Sequence, residues 1–221
     1  EISRGYRSGG YDCLVNNGAP QLYRPEYAWN YELGTHLNLL RDKLFLDASV
    51  FLTNVTDQQI VQMAPSVLEL TTKNAGKSRS LGGELSLRLK LTDRLQAHAT
   101  YGYTHATFTD YKFSADVSYK DNYVPFVPQH SFDLGANYGL PMPKILGRQL
   151  LDGMNIIANW HGLGRFYWTE DNLSSEPFYN ALDAKLSFYR KHLEFAVWAN
   201  NIFDNCCRTI YFQQMGRGYS Q

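Results

Sequence analysis

The chain has 221 residues, enough for one sizeable domain or two small ones. Its 21 basic and 21 acidic residues cancel, which removes the electrostatic pull expected of a nucleic-acid partner. No apolar run reaches the ~18 residues that a membrane-spanning helix needs. Aromatic residues make up 14%, a composition suited to a β protein with wet interfaces.

The N-terminal stretch EISRGYRSGGYDC (1–13) has no charged start leading into an apolar run, so it does not read as a signal peptide. With no initiator Met either, a piece of a longer protein is expected. A first strand is expected within 1–11, broken or bulged at Gly9–Gly10. Strands of alternating polarity follow at about 27–39, 44–55, 80–91, 95–108, 131–140, 150–163, 178–189 and 193–203. No helical pattern of useful length interrupts them. The connections alternate in kind. LRDK (40–43), TDR (92–94), the Pro-containing PMPKILGRQ (141–149) and YRKH (189–192) are short. The stretches 56–79, 109–130 and 164–177 are long. Short connections at one end and long ones at the other are the signature of a membrane barrel.

Residue placement sharpens this reading. In LGGELSLRLKL (81–91) every second residue is Leu or Gly, and Gly82, Glu84, Ser86, Arg88 and Lys90 lie between. Comparable registers run through Tyr27–Leu39, Leu44–Leu52, Leu95–Tyr103, Phe132–Leu140, Leu182–Phe188 and Leu193–Ala199, and none of their apolar-face positions holds a charge. The opposite register carries Glu32, Asp47, Glu84, Arg88, Lys90, Asp133, Asp183, Lys185 and Glu194. A Lys or Arg on a lipid face costs ~2–4 kcal/mol at mid-bilayer, so charge is expected only on the lumen side. Tyr27, Trp29, Tyr31, Tyr101 and Tyr103 crowd the long-connection end, while Tyr138 and Phe188 lie near the short one, as the two aromatic girdles of an outer-membrane barrel do. Gly34, Gly82, Gly102, Gly135 and Gly139 fall on the polar face, where a packed interior tolerates them. The fold class expected is all-β: an antiparallel up-and-down transmembrane β-barrel, here an incomplete portion of about nine strands.

Seven stretches carry a family likeness: RGYRSGGYD (4–12), YRPEYAWNYELGTH (23–36), DASVFLTNVTDQQI (47–60), TKNAGKSRSLGGELSL (72–87), YVPFVPQHSF (123–132), GLGRFYWTEDN (162–172) and VWANNIFDN (197–205). In this order and spacing the chain resembles the C-terminal half of the barrel of TonB-dependent outer-membrane receptors. The resemblance implies a large plugged barrel in the outer membrane of a Gram-negative bacterium. It implies uptake of a scarce nutrient, most often a ferric siderophore, driven through TonB. It also implies that residues 1–221 lack the N-terminal plug domain, the TonB-contacting segment and the final strand. The partners expected are outer-membrane lipid, the plug, the TonB complex and a small-molecule ligand such as a ferric siderophore, with no nucleic acid.

Nothing resembles a catalytic constellation, so no enzyme is expected. No cofactor or metal is expected either, and His36 and His98 read as polar interior hydrogen-bonders. Cys13, Cys206 and Cys207 are too few for a four-ligand zinc site and read as incidental. Whether Cys13 pairs with one of the other two stays open. The polar-face charges Glu32, Glu84, Arg88, Asp133, Asp183, Lys185 and Glu194 read either as a wet wall or as contacts to the plug. Ligand recognition in the family belongs to the plug apex and the outward loops, which here offer Tyr123, Phe126, Tyr167 and Trp168. These rings suit stacking on a siderophore or sugar, or anchoring at the membrane interface. Two alternatives accompany the leading reading. One is a small stand-alone barrel, a porin or adhesin, closed by 205–221. The other is a secreted carbohydrate-binding β-sandwich, in which the Leu81–Leu91 register is buried against a second sheet.

Overall fold

Nine strands form one antiparallel sheet in which each pairs with the next along the chain. They are β1 (Ile2–Arg7), β2 (Glu26–Leu39), β3 (Leu44–Thr56), β4 (Lys77–Lys90), β5 (Leu95–Asp110), β6 (His130–Pro141), β7 (Gly153–Leu163), β8 (Tyr179–Arg190) and β9 (Leu193–Ala199). The computed structural model describes all residues except 17–18, 64–69, 75, 143, 145–148, 209–210, 215–216 and 221. For 12–16, 19, 62–63, 70–71, 211–214 and 217–220 it describes the backbone alone. No helix occurs among the described residues.

The expected strands are present with small shifts at their ends. The short turns close them tightly: Leu40, Arg41 and Asp42 all take positive φ, as does Lys191, while Thr92 Oγ1 accepts the Arg94 and Leu95 amides. The break expected at Gly9–Gly10 is real. A Cβ on Gly9 would lie 2.5 Å from the Tyr23 carbonyl oxygen, so only glycine lets the chain leave β1 there for the ribbon Gly10–Asn16/Ala19–Tyr23. The last expected strand, 193–203, is four residues too long. It stops at Ala199 because Asp183 Oδ1 captures the Asn201 amide at 2.8 Å, and the Asn201 side chain donates to the Asn205 carbonyl and accepts the Asn205 amide, turning the chain away.

Register gives the sheet two chemically distinct faces. One cross-strand row on the apolar face runs Leu33, Val50, Gly83, Tyr103, and one on the polar face runs His36, Asp47, Ser86, Thr100, Asp133, His161. No second sheet covers the apolar face among the described residues: Leu33 is 75% exposed and Phe195 66%. The sandwich alternative required that face to be buried. The sheet is also open, since β1 and β9 do not pair, and Tyr211–Gln214 pairs only with Arg217–Ser220. The closing strand required by the stand-alone barrel is therefore not formed by these residues.

Two polar-face glycines are explained by space. Gly82 faces Phe51 directly across the ladder, and a Cβ there would sit 2.4 Å from both the Phe51 ring and the Tyr103 carbonyl oxygen. Gly135 lies between His98 and Asn159, whose side chains occupy its vacant Cβ position. Each glycine is the floor under a larger cross-strand partner. The buried apolar residues Ala106, Phe108, Tyr111, Trp168 and Ala181 all lie at the long-connection end.

Candidate functional site

The polar face carries a network assembled by register. Glu32, Glu84, Arg88, Asp133, Asp183, Lys185 and Glu194 all lie on it, on β2, β4, β6, β8 and β9. Lys185 Nζ donates to Glu194 Oε1 at 3.0 Å across the β8–β9 turn. Asp133 Oδ1 meets His98 Nε2 at 2.6 Å, and Asp183 receives the Asn201 amide with His161 Nδ1 3.9 Å away. His36 bonds Asp47, and Arg88 approaches the same carboxylate at 3.9 Å while lying over the Phe45 ring. His36 and His98 are thus hydrogen-bonded to carboxylates. Among the described residues no three His, Cys, Asp or Glu side chains are grouped to hold a metal ion.

Two shallow hollows open on this face. One, of about 410 Å³, is lined by Glu32, His36, Asp47, Ser49, Glu84 and Thr100. The other, of about 340 Å³, holds Arg88, Lys90, Gln96, His98, Asn137 and Asn159. Asn137 Oδ1 is buried there without a hydrogen-bond partner. Sequence reasoning missed Asn137, Asn159 and His161. A strand's alternation places each on the polar face, but only the pairing of strands brings them beside His98, Asp133 and Asp183.

The long connections pack on one another. Asn172, at φ 58°, accepts the Tyr123 amide at 2.7 Å and donates to the Tyr123 and Thr169 carbonyls, tying 119–126 to 164–178. Asn122 Nδ2 adds a bond to the Glu170 carbonyl at 2.8 Å. Beneath them Phe108 and Tyr111 meet edge to face at 4.9 Å, with Tyr119, Val124 and Ile60 packed around them. Burial, with Asp171 and Glu170 nearby, raises the Tyr119 hydroxyl above its ordinary pKa.

The four loop aromatics singled out from the sequence come together in two pairs. Tyr123 bridges Thr107 of β5, which puts it on the apolar register; it stacks on Tyr167 at 5.4 Å and meets His105 edge-on. Trp168, only 7% exposed, packs against Phe126 and Phe166 instead, and its indole Nε1 donates to Glu176 Oε2 at 3.3 Å. Phe126 is 66% exposed, so its ring is the open one of the four. The buried Glu176 carboxylate also takes Arg208 Nε at 2.7 Å, which fastens the segment after β9 to this loop. Neighbouring Cys207 has its thiol pushed up by burial and by the Glu176 charge, partly offset by Arg208. Cys206 and Cys207 are free thiols, and the Cys13 side chain lies outside the described residues.

Comparison with known proteins gives a consistent set of relatives. The family described as "TonB dependent receptor-like, beta-barrel" matches residues 2–202. The probable TonB-dependent siderophore receptor PiuA of Acinetobacter baumannii is 28% identical over 211 residues, covering 92% of this chain and 26% of the relative. The catecholate siderophore receptor Fiu of Escherichia coli K12 is 25% identical over 187 residues, covering 82% and 22%. The chain thus spans about a quarter of the length of the curated relatives it matches. Among solved structures, the ferric yersiniabactin uptake receptor FyuA of Yersinia pestis superposes with a TM-score of 0.81 at 24% identity, covering 100% of this chain and 32% of that one, a likeness of fold.

Proposed function

This chain belongs to the TonB-dependent receptor β-barrel family, and from that premise we propose that it forms part of the wall of an active outer-membrane transporter in a Gram-negative bacterium. The observation that carries the reading is the two-faced, nine-stranded meander whose apolar face stays open. Lipid covers such a face along its whole length. The cargo is a ferric siderophore or related iron complex, a choice supported by relatives whose names specify siderophores. The plug domain, the TonB-contacting segment and the remaining strands belong to the longer protein outside these residues.

Within that reading the polar face is the lumen wall. Glu32 and Glu84, beside the larger hollow, and Arg88, beside the smaller, contact the plug, while Asp133, Asp183, Lys185 and Glu194 continue the network around the wall. Of the loop aromatics, Phe126 offers its open ring to the ligand and Trp168 supports it from behind. Tyr123 sits on the outward register with Tyr167 stacked on it, and both belong to the outer wall.

Uptake of radiolabelled ferric catecholate tests the proposal, in cells whose own siderophore receptors are deleted and which express the full-length protein. Saturable uptake that disappears when TonB is deleted is expected. Unsaturable uptake that survives TonB loss overturns it in favour of a passive pore.

A further inference from the structure

Resting on the ligand role proposed for Phe126, we infer that Glu176 is its positioning residue: clamped by Arg208, the buried carboxylate holds Trp168 and through it aims the Phe126 ring at the ligand. The backbone at Phe126 shows why the ring must be held. Phe126 follows Pro125 in the tight turn of 124–127 and takes φ 62°, a conformation in which turns ordinarily place glycine. A bulky side chain is disfavoured there and persists only where its surroundings hold it. Burial does not offset the strain, because Phe126 is 66% exposed. The conformation gives the ring a direction, and two contacts maintain it. The Phe126 amide donates to the Tyr167 carbonyl at 2.9 Å, and the ring stands edge-on to Trp168 with 5.6 Å between centres.

Trp168 is fixed from its far side. Its ring packs against Phe166 at 4.9 Å, its amide donates to the Ser174 carbonyl at 2.9 Å, and its indole Nε1 donates to Glu176 Oε2. Glu176 pairs with Phe166 across a short ribbon and is 4% exposed. Its carboxylate receives three donors: the indole, Arg208 Nε at 2.7 Å on the same oxygen, and the Arg208 amide at 3.3 Å on the other. Arg208 Nη2 also donates to the Ser175 carbonyl at 2.8 Å, so an arginine 32 residues further along the chain grips the ribbon at two successive residues.

Two comparisons within the molecule set this cluster apart. Every other carboxylate in an ion pair among the described residues is far more exposed than Glu176. Surface pairs order little, whereas a buried charge disrupts its surroundings when its partner is lost. The apolar core that joins the connections, around Phe108 and Tyr111, includes none of Phe126, Trp168 and Glu176. The clamp therefore serves the geometry at Phe126 and not that core. A ring already held in place spares the ligand the entropy of ordering it.

Two measurements on the full-length protein test this. The first needs no ligand: hydrogen exchange at the Phe126 amide should quicken about tenfold in R208Q, which strands the buried Glu176 charge. E176Q keeps a neutral acceptor for the indole and should quicken it less, and the double variant E176Q/R208Q should recover most of the loss. E176Q also serves if R208Q fails to fold. The second is equilibrium binding of a radiolabelled tris-catecholate complex of iron(III). F126G removes the ring and its backbone strain together and should weaken binding about fivefold with the number of sites unchanged. R208Q should weaken binding to a similar degree, and no further in an F126G background. Unchanged exchange at Phe126 in both R208Q and E176Q overturns the positioning role. So does a loss of sites at unchanged affinity, or an effect of R208Q that persists in F126G. No saturable binding by the unaltered protein overturns the siderophore reading instead, and exchange still decides whether Glu176 holds Phe126.

Discussion

Phe108 and Phe195 belong to the same sheet, yet Phe108 is fully buried and Phe195 is 66% exposed. The first sits where the connection 111–129 folds back, with Tyr111 beside it and Ile60, Tyr119 and Val124 around them. The second stands on β9, where nothing among the described residues covers it. The contrast runs through the molecule. Above the strands a small apolar core and buried groups such as Glu176 stabilise the connections much as in a soluble domain. In the wall, backbone ladders satisfy the peptide groups and the side chains are left for other partners to cover. One chain thus carries two kinds of stability, one self-contained and one, on the transporter reading proposed above, borrowed from lipid.

The largest expected effect breaks the self-contained part. Phe108→Ala in the full-length protein should cost ~3–5 kcal/mol, confined to the connections. Hydrogen exchange checks this: amides of 106–124 should open while those of β2–β4 keep their protection. Loss of protection throughout the wall would show that the two regions are not independent.

The next prediction concerns the wall. Leu85→Arg, on the apolar face, should lower barrel stability in bilayers by ~2–4 kcal/mol, whereas Ser86→Arg, its neighbour on the polar face, should cost far less. Equilibrium refolding into vesicles reads the difference, and equal costs would erase the distinction between the faces.

The smallest effect sharpens the account of the buried groups above the wall. Because burial and the Glu176 charge raise the Cys207 thiol, its thiolate forms only at higher pH than that of an ordinary thiol. Removing the charge with Glu176→Gln leaves Arg208 nearby and should lower that onset. In a Cys206→Ser background, alkylation of Cys207 near the ordinary thiol pKa of ~8.5 should then quicken several-fold. An unchanged rate would mean that burial alone sets the shift.

Most of the wall was legible in the sequence. Period-two alternation through Leu81–Leu91 named both faces of β4, and the alternation of short and long connections gave the meander. Legibility failed at the strand ends. β4 begins at Lys77, so Arg79 joins the apolar register unannounced by any alternation of Leu, and β9 stops early because a side chain on β8 captures its continuation. The candidate site was legible residue by residue and not as an arrangement. Tyr123, Phe126, Tyr167 and Trp168 were all visible, but their division into a Tyr123–Tyr167 pair and a Phe126–Trp168 pair was not, since it depends on which β5 residue Tyr123 bridges.

What the sequence alone determined is what a single strand can encode: which residues share a face, where apolar stretches begin and end, and which connections are short. Alternation is a local consequence of the extended backbone, so it needs no partner to be read. Only the tertiary structure decided what lies across the ladder. It set His98 against Asp133, Phe51 over Gly82, and Arg4 in one row with Arg79. Such pairings depend on inter-strand register, which is fixed by the turns and by the fit of side chains between strands far apart in the chain.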